Sequence, residues 1–243
     1  MNLIRKGHGH AHRGVIGIES AIVLIAFVIV AAALAFVVLN MGFATSQKAK
    51  TTIVSTLAEA GSSLEVSGKV IASAQVDAAR LNVTGIPIKI AAGGDSVSLT
   101  NTTTAVKYLS NQVTYDDIYA GTLNLANTGN GIFLSLRDAT AGAEGINTGS
   151  FAVMDENPYL GGLDADLDDF PLETIAFIYW TVKSNENEII EQGEHAVLAI
   201  VYASGDRPGP LDKIRVELLV ATGATLTVER QVPNITTEVV DLG

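Results

Sequence analysis

Residues 15–43 read VIGIESAIVLIAFVIVAAALAFVVLNMGF, and Glu19 is the only charged side chain among them. As an α-helix with a rise of about 1.5 Å per residue, this segment is about 43 Å long. The hydrocarbon layer of a bilayer is about 30 Å thick, so the segment can cross a membrane. A helix that is apolar all round must be buried on every side. The sequence therefore predicts a helix that lies in lipid or in a bundle of like helices.

The residues before this segment, MNLIRKGHGHAHRG, carry Arg5, Lys6 and Arg13 but no acidic side chain. A short basic leader of this kind is typical of the start of a membrane-targeting signal. A secretory signal peptide, however, has an apolar core of roughly 7–15 residues followed by its cleavage site. Here the apolar segment is longer, and the candidate processing site at Arg13-Gly14 precedes it. The order of these two features is therefore not that of a secretory signal peptide.

The residues after the segment, 44–63, read ATSQKAKTTIVSTLAEAGSS. Ile53, Leu57 and Ala60 recur at steps of three and four residues between polar positions, which predicts that the helix continues as an amphipathic one. We expect it to end near Gly61. From Ile16 to Ala60 it contains no proline and is about 68 Å long.

The rest of the chain, from Leu64 onward, alternates short runs rich in Val, Ile and Thr with turns of Gly, Asn and Asp. Many short strands at close spacing are typical of an antiparallel sandwich. The predicted fold class is therefore α+β, a long N-terminal hydrophobic α-helix followed by an antiparallel, Ig-like β-sandwich domain. The predicted strands are Glu65–Ala72, Ile86–Ala91, Ser96–Asn101, Thr122–Asn127, Ile175–Lys183, Ala196–Tyr202, Lys213–Ala221 and Thr225–Val232, followed by a short polar tail.

The composition of the chain excludes several classes of function. Among 243 residues, 15 Lys and Arg against 26 Asp and Glu give a net charge of −11, which repels nucleic acids. The chain has no cysteine, so it is neither a thiol enzyme nor a disulfide-stapled scaffold. The nucleophile-elbow, zincin, P-loop and dinucleotide-binding motifs do not occur in it. We therefore expect a protein that is not an enzyme and has no firm cofactor.

Three separated stretches resemble archaellins, the flagellins of archaea: residues 15–42, 47–71 and 212–233, about a third of the chain. The resemblance implies a structural subunit that polymerises through its N-terminal helix into the rotating filament of the archaellum, outside the cell. It implies a leader peptide at 1–14, an assembly or transmembrane helix at 15–61 and an outer β-sandwich at 62–243. The implied partners are other copies in a helical homopolymer, a prepilin-type aspartic peptidase, the archaellum assembly machinery, and the membrane before assembly.

The junction of Arg13, Gly14 and Val15, with Glu19 as the fifth residue after it, resembles the class III signal peptide of type IV pilins and archaellins. In these families a membrane peptidase cuts after the glycine, which makes Val15 the implied N-terminus. A carboxylate in hydrocarbon is costly unless it is paired. By resemblance to type IV pilins, the partner of Glu19 in assembly would be the α-amine of Val15, in the same or a neighbouring subunit. Alternatively, Glu19 lies close enough to the headgroups to stay hydrated.

Three N-x-[ST] sequons begin at Asn82, Asn101 and Asn234, all in the predicted exported domain. Because archaellins are commonly N-glycosylated, the resemblance makes each asparagine a candidate glycan acceptor. The sequon pattern itself shows only the acceptor site.

An acidic stretch, residues 155–170, is the best candidate for a metal site. Asp164, Asp166 and Asp168 occupy alternate positions and Asp169 adds a fourth carboxylate, as in the ligand sets of Ca²⁺. The glycine and the final glutamate of an EF-hand loop are absent. The pattern therefore favours a solvated acidic loop over a structural Ca²⁺ site.

Two other functions remain open at this level. One is an adhesion pilin of the same superfamily, with the same helix but a static filament; the match at 212–233 argues against it. The other is a surface binding protein, such as a sugar-binding module, anchored by the helix. Aromatic residues are 6% of the chain, which gives little support to sugar stacking.

Overall fold

The computed structural model describes residues 13–61, 64–123, 132–143, 170–171 and 173–243. The chain divides into two compact units, Met1–Ser55 and Thr56–Gly243. Helix α1 runs from Arg13 to Gly61, 49 residues. It ends at Gly61, as the sequence predicts, in keeping with the preference for glycine at the end of a helix.

The second unit is built mainly from short strands and contains one short helix, α2, among its described residues. The elements are β1 (Leu64–Val66), β2 (Ile71–Gln75), β3 (Arg80–Ile90), β4 (Val97–Ser98), β5 (Thr104–Leu109), β6 (Thr114–Tyr115), β7 (Tyr119–Thr122), α2 (Leu136–Ala143), β8 (Ile175–Val182), β9 (Ile189–Ile190), β10 (His195–Val201), β11 (Lys213–Val220), β12 (Leu226–Gln231) and β13 (Val239–Asp241).

These strands form two principal sheets. The larger, seven-stranded sheet has the order β13-β2-β3-β10-β8-β7, and β1 also pairs with β3. The second sheet has the order β12-β11-β5-β6, and β4 pairs with β9 in a separate ribbon. The named strand pairs are antiparallel except β7 with β8, which run parallel. The predicted α+β class is confirmed, with one parallel edge strand that the sequence did not indicate.

The predicted strand Glu65–Ala72 is divided into β1 and β2, both of which pair with β3. Val66 faces Ile88 and Ile71 faces Gly85, so four residues on one strand oppose two on the other. Pro87 lies in β3 at this point and has no N–H to donate to a ladder. Its carbonyl accepts a hydrogen bond from the Ser67 N–H at 2.9 Å. The proline therefore explains why the pairing is interrupted here.

In the C-terminal region, the structure matches the predicted strands but not the predicted polar tail. Strands β11 and β12 pair as a hairpin with Val216 opposite Val228, and they confirm the two predicted strands of this region. The predicted polar tail is wrong for its last residues, because β13 pairs with β2 along the sheet edge. Val240 and Leu242 are buried there. Val239 is exposed, Val240 is buried and Asp241 is exposed, which is the burial pattern of a half-buried strand.

The hydrophobic core lies between the two principal sheets. It contains alternate residues of β11 and β5, such as Val216 and Tyr108, and inward residues of β3 and β8, such as Ile88 and Trp180. Trp180 is fully buried there. The packing of two sheets through alternating side chains is that of a sandwich.

Strand β8 is buried on both of its faces. Ile178 and Trp180 point into the core between the sheets, whereas Phe177 and Tyr179 belong to a second apolar cluster. Helix α2 covers this second cluster and buries Leu136, Ala139, Thr140 and Ala143. A strand covered on both faces has a continuous apolar sequence, which explains why 175–180 reads IAFIYW.

A buried carboxylate closes the loop between β8 and β10. Glu194 is 1% exposed, and its two oxygens accept the N–H groups of Ser184 at 2.7 Å and of Glu191 at 2.9 Å. Both N–H groups thus have the same side chain as their acceptor. Glu194 therefore holds the two ends of the loop together.

Replacing Glu194 with glutamine is expected to lower the free energy of unfolding by about 1–3 kcal/mol, because the amide nitrogen cannot accept from an N–H group. Urea unfolding of the full-length chain in detergent measures the change. The matched control is Glu186→Gln in the same loop, an exposed position where we expect almost no effect. Equal unfolding midpoints for the two variants would contradict the role of Glu194.

Two buried tyrosines contact each other in the core. The ring centroids of Tyr108 and Tyr202 are 5.6 Å apart, and the Tyr202 hydroxyl lies 2.8 Å from the Thr84 hydroxyl. Burial raises the pKa of Tyr202 to about 12 and also raises the pKa of Tyr108. A phenol is uncharged when protonated, so the folded state favours the protonated form.

The raised pKa values are expected to make the domain less stable in alkali. An unfolded tyrosine loses its proton near pH 10, whereas folded Tyr202 keeps it to about pH 12. The folded state therefore binds more protons in this window, and stability falls as the pH rises through it, by on the order of 3 kcal/mol for Tyr202. Urea midpoints of the full-length chain between pH 8 and 12 test this. Tyr202→Phe should make the decline shallower, and a decline of the same size in that variant would exclude Tyr202 as its source.

Candidate assembly surface and modification sites

Helix α1 presents an apolar surface along its described length. Every large apolar side chain from Ile18 to Leu57 is at least 52% exposed within the single chain. The stretch Gly17–Leu57, 41 residues, is long and apolar enough to cross a membrane. Exposed apolar patches on monomeric soluble proteins rarely exceed a few hundred Å². This surface therefore requires a cover, either lipid or other protein.

Charged side chains are confined to the two ends of this surface. Within the described stretch Ile18–Leu57, the charged residues are Glu19, Lys48 and Lys50. The segment between Glu19 and Lys48 carries no charge and is about 42 Å long as a helix. The charges thus mark the limits of a segment that can be buried as a whole.

Threonine hydroxyls on α1 form hydrogen bonds to the helix itself. Thr45 donates to the Met41 carbonyl at 2.8 Å, and Thr52 donates to the Lys48 carbonyl at 2.9 Å. Thr51 likewise donates to the carbonyl of Gln47, four residues earlier, at 2.6 Å. Polar groups that already have a partner can be buried at low cost. These threonines are therefore compatible with a covered helix surface.

The three sequon asparagines differ in their exposure to solvent. Asn82 is 1% exposed in β3, and its Oδ1 accepts a hydrogen bond from Arg207 Nη2 at 2.6 Å. In the folded domain this side chain is not accessible as a glycan acceptor, which argues against the expected glycan at Asn82. Asn101 and Asn234 are exposed. Only these two are accessible acceptors.

Arg207, the partner of Asn82, was not indicated by the sequence. It is 7% exposed, and Nη2 also donates to Gln75 Oε1 at 2.9 Å. Its guanidinium lies 4.4 Å from the centroid of the Phe170 ring. Burial, and next the charge of Arg80, lower the pKa of Arg207 to about 10. This residue ties the loop after β10 to β2 and β3, which is a structural role.

The other candidate residues remain predictions. Arg13, Gly14 and Val15 form the first turn of α1. The acidic set Asp164, Asp166, Asp168 and Asp169 lies outside the described residues. Within the part of the chain that is described, no group of three or more His, Cys, Asp or Glu side chains is placed to hold a metal ion.

Comparison with known proteins gives a consistent result. The family model of archaeal-type flagellin matches residues 14–230. "Probable flagellin 1" of Aeropyrum pernix is 36% identical over 224 residues, which are 91% of this chain and 92% of the relative. "Flagellin FlaB2" of Saccharolobus shibatae is 37% identical over 114 residues, 46% of this chain and 37% of that protein. In fold, the chain is similar to the solved archaeal flagellum of Methanospirillum hungatei strain JF1, with a TM-score of 0.55 and 20% identity over 93% of this chain and 98% of that one.

Proposed function

Because the chain belongs to the archaeal-type flagellin family and is a structural subunit of the archaellum, we propose that it polymerises through α1 into a helical homopolymer. In this filament the α1 helices form the core and the β-domains form the outer wall. The observation that carries the proposal is the apolar surface of α1, exposed from Ile18 to Leu57 in the single chain. Like helices can cover this surface on all sides. Identical contacts that do not close into a ring produce a filament.

The family also decides between the functions that the sequence left open. Archaeal flagellins are structural proteins of an extracellular motility filament, so the expectation that this chain is not an enzyme is confirmed. A static adhesion pilin and an anchored binding protein are not favoured. The family match extends over both the helix and the β-domain.

Before assembly, we propose, the chain is a membrane-inserted precursor whose first fourteen residues are removed. A prepilin-type aspartic peptidase would cut after Gly14, and the archaellum assembly machinery would move the mature subunit into the filament. Two observations support this order: Arg13-Gly14 precedes the apolar segment, and the family match begins at residue 14. Mature subunits are expected to begin at Val15.

We propose that Asn101 and Asn234 carry N-linked glycans on the filament surface. Both lie in sequons and both are exposed, in contrast to Asn82. Intact-mass measurement of purified filaments is expected to give a subunit heavier than its polypeptide. Asn101→Gln and Asn234→Gln should each remove part of the excess mass, and a subunit mass equal to that of the polypeptide would exclude both glycans.

The experiment that tests the function combines gene deletion with analysis of sheared filaments. Cells that lack the chain are expected to lose their filaments and to stop swimming. Mass spectrometry of filaments from unmodified cells is expected to identify this chain, beginning at Val15. Filaments of this chain on cells whose swimming survives the deletion would indicate an adhesion pilus. A membrane-bound monomer without filaments would indicate an anchored binding protein.

A further inference from the structure

The two ends of the uncharged segment of α1 carry opposite charges on one side of the helix. Glu19 and Lys48 are 29 positions apart. At 3.6 residues per turn, this separation corresponds to eight full turns plus about 20° around the helix axis. Lys50 lies about 140° away from Glu19 by the same geometry. Of the two lysines in the described helix, only Lys48 therefore shares the side on which Glu19 lies.

Each of these two charges borders a groove on the helix surface. Glu19 lines one groove together with Ser20, Val23, Leu24 and Phe27. Lys48 lines the other, and its companions there are mostly small: Ala44, Thr45, Ala49, Thr52 and Ile53. Small side chains allow the backbones of packed helices to approach closely. The groove at Lys48 can therefore receive a neighbouring helix.

Both charges need a partner once the helix is covered. Among the described residues, no ion pair involves Glu19 or Lys48. About 44 Å along the axis separates the two positions, so they cannot pair within one helix. A buried charge without a partner is strongly unfavourable. In the proposed filament the neighbours of α1 are further copies of α1, so a second copy can supply a partner for each charge.

We propose that Glu19 of one copy pairs with Lys48 of a second, parallel copy. This inference rests on the proposed function, because it requires α1 helices to pack together. The pair sets the axial offset between these two copies at about 44 Å, the distance between the residues along one helix. It also assigns Glu19 a partner different from the α-amine of Val15.

Neutral substitutions distinguish the two partners without placing a new charge in lipid. Glu19→Gln and Lys48→Gln are each expected to lower the yield of sheared filaments about tenfold or more, because each leaves one buried charge unpaired. The double variant Glu19→Gln/Lys48→Gln leaves none and is expected to recover to within about threefold of the unmodified chain. The matched control is Lys50→Gln, which should assemble normally. Immunoblots of the membrane fraction verify that each subunit is made and inserted.

Three results would overturn the pair. Lys48→Gln that assembles as well as Lys50→Gln would show that Lys48 has no buried partner. A double variant as defective as the single variants would show that the two losses are independent, as expected if Glu19 pairs with the α-amine. Absence of filaments from cells with the unmodified chain would overturn the proposed function together with the pair. Filaments from those cells, with normal assembly of Lys48→Gln, would overturn the pair alone.

Discussion

Replacing Ala33 with aspartate is expected to abolish filament formation. Ala33 lies near the middle of the uncharged segment between Glu19 and Lys48, far from either charge along the helix. A carboxylate at the centre of a membrane-spanning helix costs about 3 kcal/mol on the insertion scale. That cost corresponds to a change in equilibrium on the order of 100-fold. Within a bundle of like helices, the new charge would again have no counter-ion at its level.

Ala33→Thr is the matched control, because threonine is close to aspartate in size and uncharged. Its hydroxyl can donate to the carbonyl four residues earlier, as Thr45 and Thr52 do in the same helix. We expect filaments from Ala33→Thr in near-normal yield. The measurement is the mass of filament sheared per cell, together with the amount of subunit in the membrane. Normal filaments from Ala33→Asp would mean that the middle of the helix is hydrated, which contradicts a buried core.

Replacing Trp180 with alanine is expected to cost about 3–5 kcal/mol of folding stability, a large part of the total for a domain of this size. Trp180 is fully buried in β8 and faces Ala196 across the ladder, in the core between the two sheets. Small neighbours such as Ala196 cannot fill the space that the indole leaves. Urea unfolding of the full-length chain in detergent measures the loss.

Two further variants at this strand separate the volume effect from other causes. Trp180→Phe keeps most of the apolar volume and removes an indole N–H that has no acceptor among the described residues. We expect it to lose less than half as much as Trp180→Ala. Val182→Ala alters the same strand where the side chain is 48% exposed, and its cost should be about 1 kcal/mol or less. If all three variants unfolded at the same urea concentration, the core assigned to Trp180 would be wrong.

The sequence predicted those parts of the fold that carry a strong local pattern. Helix α1 was predicted because its apolar run has no break, and β8, β10, β11 and β12 because each is a run of apolar or alternating residues bounded by turns. Strand β5 was missed because its residues do not alternate between apolar and polar: Thr104 is buried, whereas Ala105 and Leu109 are only half-buried. Its alternation becomes clear only when it pairs with β11.

Helix α2 illustrates a limit of local pattern. Its eight residues, LRDATAGA, include a threonine and a glycine, both of which have low helix propensity. The helix is stabilised by burial of Leu136 and Ala139 on the larger sheet. This contact depends on strands that lie far away in the sequence. No window of the sequence around α2 contains that information.

Asn82 shows the same limit for a candidate modification site. A sequon consists of three neighbouring residues, and it is identical in form at Asn82, Asn101 and Asn234. What distinguishes Asn82 is its burial and its hydrogen bond to Arg207, 125 positions away. The helix charges, in contrast, could be located from the sequence, because helical geometry converts their separation directly into rotation and distance.

Three threonine hydroxyls of α1 have their hydrogen-bond acceptors within the same helix. Since Thr45, Thr51 and Thr52 donate to carbonyls of their own helix, these bonds remain intact whatever surrounds the helix. In the proposed pathway the subunit leaves lipid and enters a protein bundle. None of these hydroxyls then has to exchange one partner for another at that step. The barrier to moving the subunit from lipid into the filament therefore arises from packing and from the few charges at the ends of the helix. The uncharged surface between these charges passes from one apolar medium into another.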